Sequence, residues 1–132
     1  MIDTRDAKIL IVDDHPLVSH GLAAIIGQED GLSVCGQAAT PSEARQLFAK
    51  MEPDLIVLDI LLPDGVDGFE LLGEFLDADD DIKVLVFSSL DPDVYAHKAR
   101  ELGAVGFVHK SMVITEIVPA IRAALHKEEG TR

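Results

Sequence analysis

Polar side chains that could act together stand at the ends of short apolar runs in this sequence: Asp13, Asp14, Asp59, Ser88 and Lys110. Three carboxylates held close together would repel one another unless a cation lay between them. A hard divalent cation such as Mg²⁺ prefers oxygen ligands and typically takes one or two carboxylates together with a phosphate oxygen. The sequence therefore predicts a site that holds Mg²⁺ or Mn²⁺ against an incoming phosphoryl group.

The individual side chains fit distinct roles in phosphoryl transfer. Asp59 stands alone after its run and suits in-line nucleophilic attack on phosphorus. Lys110 supplies a mobile positive charge for a phosphate oxygen, and Ser88 supplies a hydroxyl donor. Taken singly, an aspartate is more often a turn or cap residue and a lysine is more often solvated. Their recurrence at successive run ends favours one shared site.

Five short runs rich in Val, Ile and Leu predict strands over residues 9–12, 32–38, 55–58, 84–87 and 105–108. Continuous apolar runs of this length are typical of strands buried on both faces of a parallel sheet.

The segments between these runs predict helices: residues 16–26, 41–51, a third around the stripe of Phe69, Leu72, Phe75 and Leu76, a fourth from Pro92, and residues 111–126. In the first helix the buried stripe is expected to include Leu17. Thr40 and Asp91 are the expected N-caps of the second and fourth helices. Pro119 removes a backbone donor, so we expect a kink or a late start in the fifth.

Strict alternation of five strands and five helices predicts an α/β domain with right-handed crossovers. Sites in such sheets form at the carboxyl ends of the strands, near the point where strand order reverses. The flavodoxin-like (βα)5 order 2-1-3-4-5 makes the first and third strands neighbours. We therefore expect that order, with Asp13 and Asp59 side by side.

The composition excludes several classes of protein. The chain has 132 residues, 24 acidic against 11 basic side chains, and a formal net charge of −13. Such a surface repels nucleic acid and anionic lipid, so we expect neither as a partner of this chain alone. The single cysteine, Cys35, is expected to be a buried, inert thiol. No run approaches the length of a membrane span or a secretory signal, which predicts a cytoplasmic protein.

The motif Asp-Asp-His-Pro from Asp13, with Asp59, Pro63, Ser88 and Lys110, resembles the receiver domain of two-component response regulators. The resemblance covers residues 8 to about 126, so the chain is expected to be a single receiver domain over 1–132, with 127–132 a tail or linker start. The opening is most similar to the NarL/LuxR-type subfamily. The family implies a flavodoxin-like fold and a sensor histidine kinase as phosphodonor.

By position, the resemblance implies that Asp13 and Asp14 hold the metal ion and that Asp59 both binds it and accepts the phosphoryl group. The backbone carbonyl of Leu61 would be a further metal ligand. Ser88 and Lys110 stand where the family has its hydroxyl and its lysine.

Phe107 stands where the family has its switch aromatic, so phosphorylation would draw the Ser88 hydroxyl inward and the ring would follow. In the subfamily the receiver usually precedes a DNA-binding domain, which this chain lacks. The family thus implies control of transcription through an absent domain, with a homodimer possible on phosphorylation. The module is not an enzyme with an external substrate, since it catalyses its own phosphorylation and dephosphorylation.

This sequence departs from the family pattern in three ways. Residues 63–68 contain one residue more than the usual loop. Leu61 and Leu90 are apolar where many receivers carry polar groups, which predicts slow loss of the phosphoryl group. Ser88 lacks the methyl group of threonine, which predicts looser coupling to Phe107.

Other functions remain open at this point. A haloacid-dehalogenase-like phosphatase needs a second acid two residues after its nucleophile, where this chain has Leu61. A flavodoxin-like FMN protein needs an uncharged phosphate loop, and Asp13 with Asp14 would repel the FMN phosphate. A degenerate receiver that acts through protein contacts without phosphorylation, or a stand-alone phosphorelay protein, would keep the same fold.

Overall fold

The computed structural model describes residues 6–62 and 67–126. Its centre is a parallel sheet with the strand order β2-β1-β3-β4-β5. The strands are β1 Ala7–Val12, β2 Leu32–Ala38, β3 Leu55–Leu58, β4 Lys83–Ser88 and β5 Gly106–His109. The fold prediction is confirmed, and β4 and β5 each run one residue further than the apolar runs indicated.

Five helices connect the strands: α1 Pro16–Gly27, α2 Pro41–Met51, α3 Gly68–Ala78, α4 Pro92–Glu101 and α5 Val113–His126. Side-chain oxygens of Thr40, Asp67 and Asp91 accept backbone N–H groups at the starts of α2, α3 and α4. The two predicted caps are therefore confirmed. A 3-10 turn over Lys110–Met112 precedes α5.

The core lies on both sides of the sheet because successive strand residues point to opposite faces. Leu10 and Val12 belong to the cluster covered by α2, α3 and α4, whereas Ile9 and Ile11 belong to the cluster covered by α1 and α5. The central strands are thus buried on both faces, as their unbroken apolar sequences predict. Among the described residues, no helix has both the length and the apolar content needed to cross a bilayer.

Three expectations about individual residues are wrong. Leu17 is 88% exposed, because the first turn of α1 lies at the edge of the sheet, and Ser19 is buried instead. The late start predicted for α5 does not occur, since the helix begins at Val113 and continues through Pro119. Cys35 is only half-buried and packs against the apolar cluster covered by α2, α3 and α4. This partial burial still raises the pKa of the thiol.

The strand register places the chain segments that carry the site. Val12 pairs with Leu58, so the residues that follow β1 and β3 emerge next to each other. A close backbone approach fixes the start of α3, because a Cβ atom on Gly68 would lie 2.3 Å from the Cα atom of Ile60. Only glycine fits there without displacing the loop after β3.

Candidate functional site

Two buried carboxylates lie one residue beyond the carboxyl ends of β1 and β3. The Asp13 N–H donates to the carbonyl oxygen of Ala38 at 2.9 Å, and the Asp59 N–H donates to that of Val12 at 2.9 Å. These bonds extend the sheet ladder by one step and hold both main chains rigidly. Asp13 is 3% and Asp59 1% exposed, so both carboxylates lie at the floor of the site.

One ammonium group joins these two carboxylates. Lys110 follows β5, and its Nζ lies 2.8 Å from Oδ2 of Asp13 and 2.8 Å from Oδ2 of Asp59. Of the side chains predicted to meet at this edge of the sheet, Asp13, Asp59 and Lys110 therefore do meet. Because the strands end together, a lysine two strands away from β3 reaches Asp59 across the end of β4.

Burial and pairing act in opposite directions on these groups. Burial raises the pKa of Asp59 above its usual value, although hydrogen bonds from Lys110 and the Leu61 N–H oppose the shift. For Lys110, burial lowers the pKa, but the hydrogen bonds and charges of Asp13 and Asp59 outweigh it and the net shift is upward. Pairing therefore favours the charged form of Lys110, whereas burial disfavours the ionised form of the Asp59 carboxyl group.

The acidic cluster has the composition of a cation site. Asp13, Asp14, His15 and Asp59 each offer one ligand atom, and these atoms lie within 4.8 Å of one another. Oδ2 of Asp13 already has the Lys110 ammonium at 2.8 Å, whereas Oδ1 of Asp14 is buried without a hydrogen bond among the described residues and lies 3.2 Å from Nδ1 of His15. One ammonium does not balance three carboxylates, and a metal ion at the cluster would supply the missing positive charge.

His15 was missed as a participant in this cluster. His15 stands at the N-cap position of α1, but its side chain makes no cap hydrogen bond. Instead its Nδ1 lies 2.8 Å from Oδ1 of Asp13, 3.2 Å from Oδ1 of Asp14 and 3.2 Å from Nζ of Lys110. Its position directly after the two aspartates was the available signal.

The remaining candidates occupy the loops around the carboxylates. Ser88 is fully buried, and its Oγ accepts the N–H of Leu90 at 3.2 Å. The N–H of Leu61 donates to Oδ1 of Asp59 at 2.9 Å, while the Leu61 side chain is 45% exposed. Phe107 is half-buried in β5 and packs against the same apolar cluster as Leu90. The loop 63–68, predicted to hold one extra residue, lies in its first four positions outside the described residues, so this prediction stays open.

A family model described as "Response regulator receiver domain" matches residues 9–122 of the chain. The chain belongs to this family. Similar curated proteins are response regulator GacA of Pseudomonas aeruginosa, 34% identical over 87% of this chain, and the DNA-binding transcriptional activator DevR/DosR of Mycobacterium tuberculosis, 35% identical over 87%. The chain covers 53% and 52% of those proteins, so it spans about half the length of these curated relatives.

Solved receiver structures agree with this assignment. A LuxR-family two-component response regulator from Aurantimonas sp. is 37% identical, with a TM-score of 0.86 over 92% of this chain and 86% of that one. The receiver domain of NarL from Mycobacterium tuberculosis is 28% identical, with a TM-score of 0.82 over 92% of this chain and 97% of that one. The predicted family and its NarL/LuxR-type character are confirmed. Receiver domains of response regulators act in signalling and interact with histidine kinases.

Proposed function

We propose that Asp59 of this receiver domain accepts a phosphoryl group from the phosphohistidine of a sensor histidine kinase, in a reaction that requires Mg²⁺ or Mn²⁺. The observation that carries the proposal is the shared ammonium of Lys110, which lies 2.8 Å from the buried carboxylates of both Asp13 and Asp59. A nucleophile, an acidic partner and a cation thus converge at one point. Phosphoryl transfer needs positioning and charge stabilisation of this kind.

The transfer step has a simple balance. An Oδ atom of Asp59 forms a bond to phosphorus as the P–N bond of the phosphohistidine breaks, and the bonding electrons return to the imidazole nitrogen. The product is an acyl phosphate on Asp59 and a histidine that takes a proton from solvent. Lys110 would pair with a phosphoryl oxygen, and the Ser88 hydroxyl would donate to another.

The donor set fits the divalent ion that the family uses. Asp13, Asp14 and Asp59, together with the backbone carbonyl of Leu61, would hold the ion with oxygen ligands only. When bound, Mg²⁺ supplies neutralisation of the charge on the phosphoryl oxygens. The buried Oδ1 of Asp14, which accepts no hydrogen bond among the described residues, supports this assignment.

The output of phosphorylation would be a change in the surface formed by α4, β5 and α5. Ser88 would turn towards the phosphoryl group, and Phe107 would follow into the space that it leaves. A surface cavity of about 300 Å³ lies beside Phe107 on this surface and is lined in part by His109 and Pro92. The altered surface would change partner or dimer contacts.

Transcription would be controlled through a DNA-binding domain outside this chain. The name of DevR/DosR, a DNA-binding transcriptional activator, supports this part of the proposal. The receiver itself would catalyse only its own phosphorylation and dephosphorylation, with no further substrate.

Intact-mass measurement tests the proposal. The chain is incubated with acetyl phosphate and Mg²⁺, and Asp59→Asn is treated in parallel after circular dichroism has shown that it folds. We expect one added phosphoryl group on the native chain, none on Asp59→Asn, and none on either when the metal is chelated first. If the native chain gains no phosphoryl group from this donor or from a kinase phosphohistidine, the phosphoacceptor proposal fails and a degenerate receiver replaces it.

A further inference from the structure

The imidazole of His109 connects the loop after β4 to the loop after β5. His109 is the last residue of β5 and is half-buried. Its Nε2 lies 3.0 Å from the carbonyl oxygen of Ser89, and its Nδ1 lies 3.1 Å from the backbone nitrogen of Ser111 and 2.8 Å from Oγ of the same serine. One ring nitrogen therefore contacts the main chain of the loop after β4, and the other contacts the main chain of the loop after β5.

These partners fix the tautomer of the ring. A carbonyl oxygen only accepts hydrogen bonds and a backbone N–H only donates them. The proton must therefore sit on Nε2, which donates to Ser89, while the Nδ1 lone pair accepts from Ser111. The neutral Nε2–H form of His109 satisfies both main-chain contacts at once, whereas the other neutral tautomer donates only to the Ser111 hydroxyl and leaves both main-chain groups without this bond.

The two loops carry the side chains proposed to contact the phosphoryl group. Ser89 directly follows Ser88, and Lys110 directly follows His109. In the sheet, Ser88 and His109 are themselves paired between β4 and β5. Oγ of Ser88 accepts the Leu90 N–H at 3.2 Å, so the Ser89 peptide lies inside a turn closed by the Ser88 hydroxyl. A hydrogen bond to the Ser89 carbonyl therefore restrains the turn that orients this hydroxyl.

We propose that His109 is a positioning residue for phosphoryl acceptance, which holds the Ser88 turn against β5 so that the Ser88 hydroxyl and the Lys110 ammonium reach the same phosphoryl group. This inference rests on the proposed function. His109 acts through Ser89 and Ser111, and the reacting atoms are contacted by its neighbours. Small displacements of such positioning elements have large effects on rate, because the productive geometry is narrow.

Two variants of His109 separate its hydrogen bond to the Ser89 carbonyl from its hydrogen bond to the Ser111 N–H. The side-chain amide of His109→Gln reaches about as far as Nε2 and retains a donor for Ser89. The shorter amide of His109→Asn reaches only as far as Nδ1, so it retains an acceptor for Ser111 and loses the bond between the loops. His97→Gln is the matched control, since His97 lies exposed on α4 and pairs with Glu101 at 3.2 Å.

We expect His109→Asn to slow phosphoryl acceptance from acetyl phosphate by about tenfold or more, and His109→Gln to stay within about threefold of the native chain. The Kd for Mg²⁺ should be unchanged in both, because the proposed metal ligands lie in the loops that follow β1 and β3. A merely structural role would weaken both variants alike and would not be rescued by glutamine. Equal rates for His109→Asn and the native chain would overturn the inference.

Nitrogen NMR of the native chain gives a readout that does not depend on phosphorylation. A long-range ¹H–¹⁵N correlation spectrum distinguishes a protonated ring nitrogen from one with a lone pair. We expect the neutral ring of His109 to be a single Nε2–H tautomer. A neutral ring protonated on Nδ1, or an even mixture of the two tautomers, would overturn the inference. If the native chain accepts no phosphoryl group, the proposed function fails instead, and the NMR result is unaffected.

Discussion

Nζ of Lys110 lies 2.8 Å from Oδ2 of Asp59, and the same ammonium lies 2.8 Å from Oδ2 of Asp13. This cation is therefore placed where negative charge from two buried carboxylates accumulates. In the proposed reaction it would exchange part of this contact for a phosphoryl oxygen. The same geometry makes Lys110 a competitor of a bound metal ion, because both would neutralise the same carboxylates.

Replacing Lys110 should therefore move two properties in opposite directions. In Lys110→Met, Mg²⁺ should bind several-fold more tightly, because a competing charge has been removed. Phosphoryl acceptance should slow by about tenfold or more, because the charge that stabilises the phosphoryl oxygens is lost. Isothermal titration calorimetry measures the first effect and intact mass against time measures the second. Lys50→Met, on the exposed surface of α2, should leave both unchanged, and weaker Mg²⁺ binding by Lys110→Met would contradict the competition.

The raised pKa of Asp59 predicts a specific pH dependence of the metal-free fold. Since the pKa is higher in the folded state, the folded chain holds more protons than the unfolded chain above the ordinary value of 3.8. The contribution of Asp59 to the free energy of unfolding is therefore favourable at low pH and is lost as pH rises through the raised pKa. Asp59→Asn removes this loss, so it should be more stable than the native chain at pH 7.

Urea denaturation at several pH values in the presence of a chelator measures this difference. The gap between Asp59→Asn and the native chain should shrink as pH falls towards 4. Asp77→Asn, which removes an exposed carboxylate from α3, is the matched control and should show no such convergence. A gap that stays constant with pH would contradict the assigned direction of the Asp59 shift.

Two glycines of the same helix make a matched test of the packing that positions the loop after β3. A Cβ atom at Gly68 would lie 2.3 Å from the Cα of Ile60, whereas nothing lies within 4 Å of a Cβ at Gly73. Gly68→Ala should lower the free energy of unfolding by about 2 kcal/mol or more, because backbone must move. Gly73→Ala should raise it by about 0.5–1 kcal/mol through helix propensity. Thermal and urea denaturation measure both, and equal effects would contradict the close approach.

Leu61 and Leu90 predict a long-lived phosphoryl group. Water attacks an acyl phosphate faster when polar side chains orient it, and these two positions supply none. Replacing both in the variant Leu61→Asn with Leu90→Glu should shorten the half-life of the phosphorylated state about tenfold. Intact mass followed after removal of the donor gives the half-life. A native half-life as short as that of the double variant would show that the leucines do not limit hydrolysis.

The ends of the strands were predictable because burial on both faces demands unbroken apolar sequence, and a polar residue then marks the exit. Asp13 and Asp59 were located in this way, and the strand order that brings them together followed from the alternation of strands and helices. The exposure of Leu17 was not predictable, because periodicity identifies a helix face but does not say where the sheet beneath it ends.

The role of His109 required coordinates. Its contact between the loops depends on a tertiary partner, and no local motif distinguishes it from the exposed His97, whereas His15 directly follows Asp13 and Asp14 in sequence. For His109 the partner is a main-chain carbonyl 20 residues away in sequence. Backbone groups are present at every position, so sequence spacing gives no sign of such a bond.

Locating the phosphoryl group tests the central claim most directly. The chain is treated with acetyl phosphate and Mg²⁺, and borohydride then reduces any acyl phosphate, which converts the modified aspartyl side chain to homoserine. Tandem mass spectrometry of the peptides should find homoserine at position 59 alone, and only when donor and metal are both present. Homoserine at another aspartate, or none after phosphorylation has been detected by intact mass, would contradict Asp59 as the phosphoacceptor.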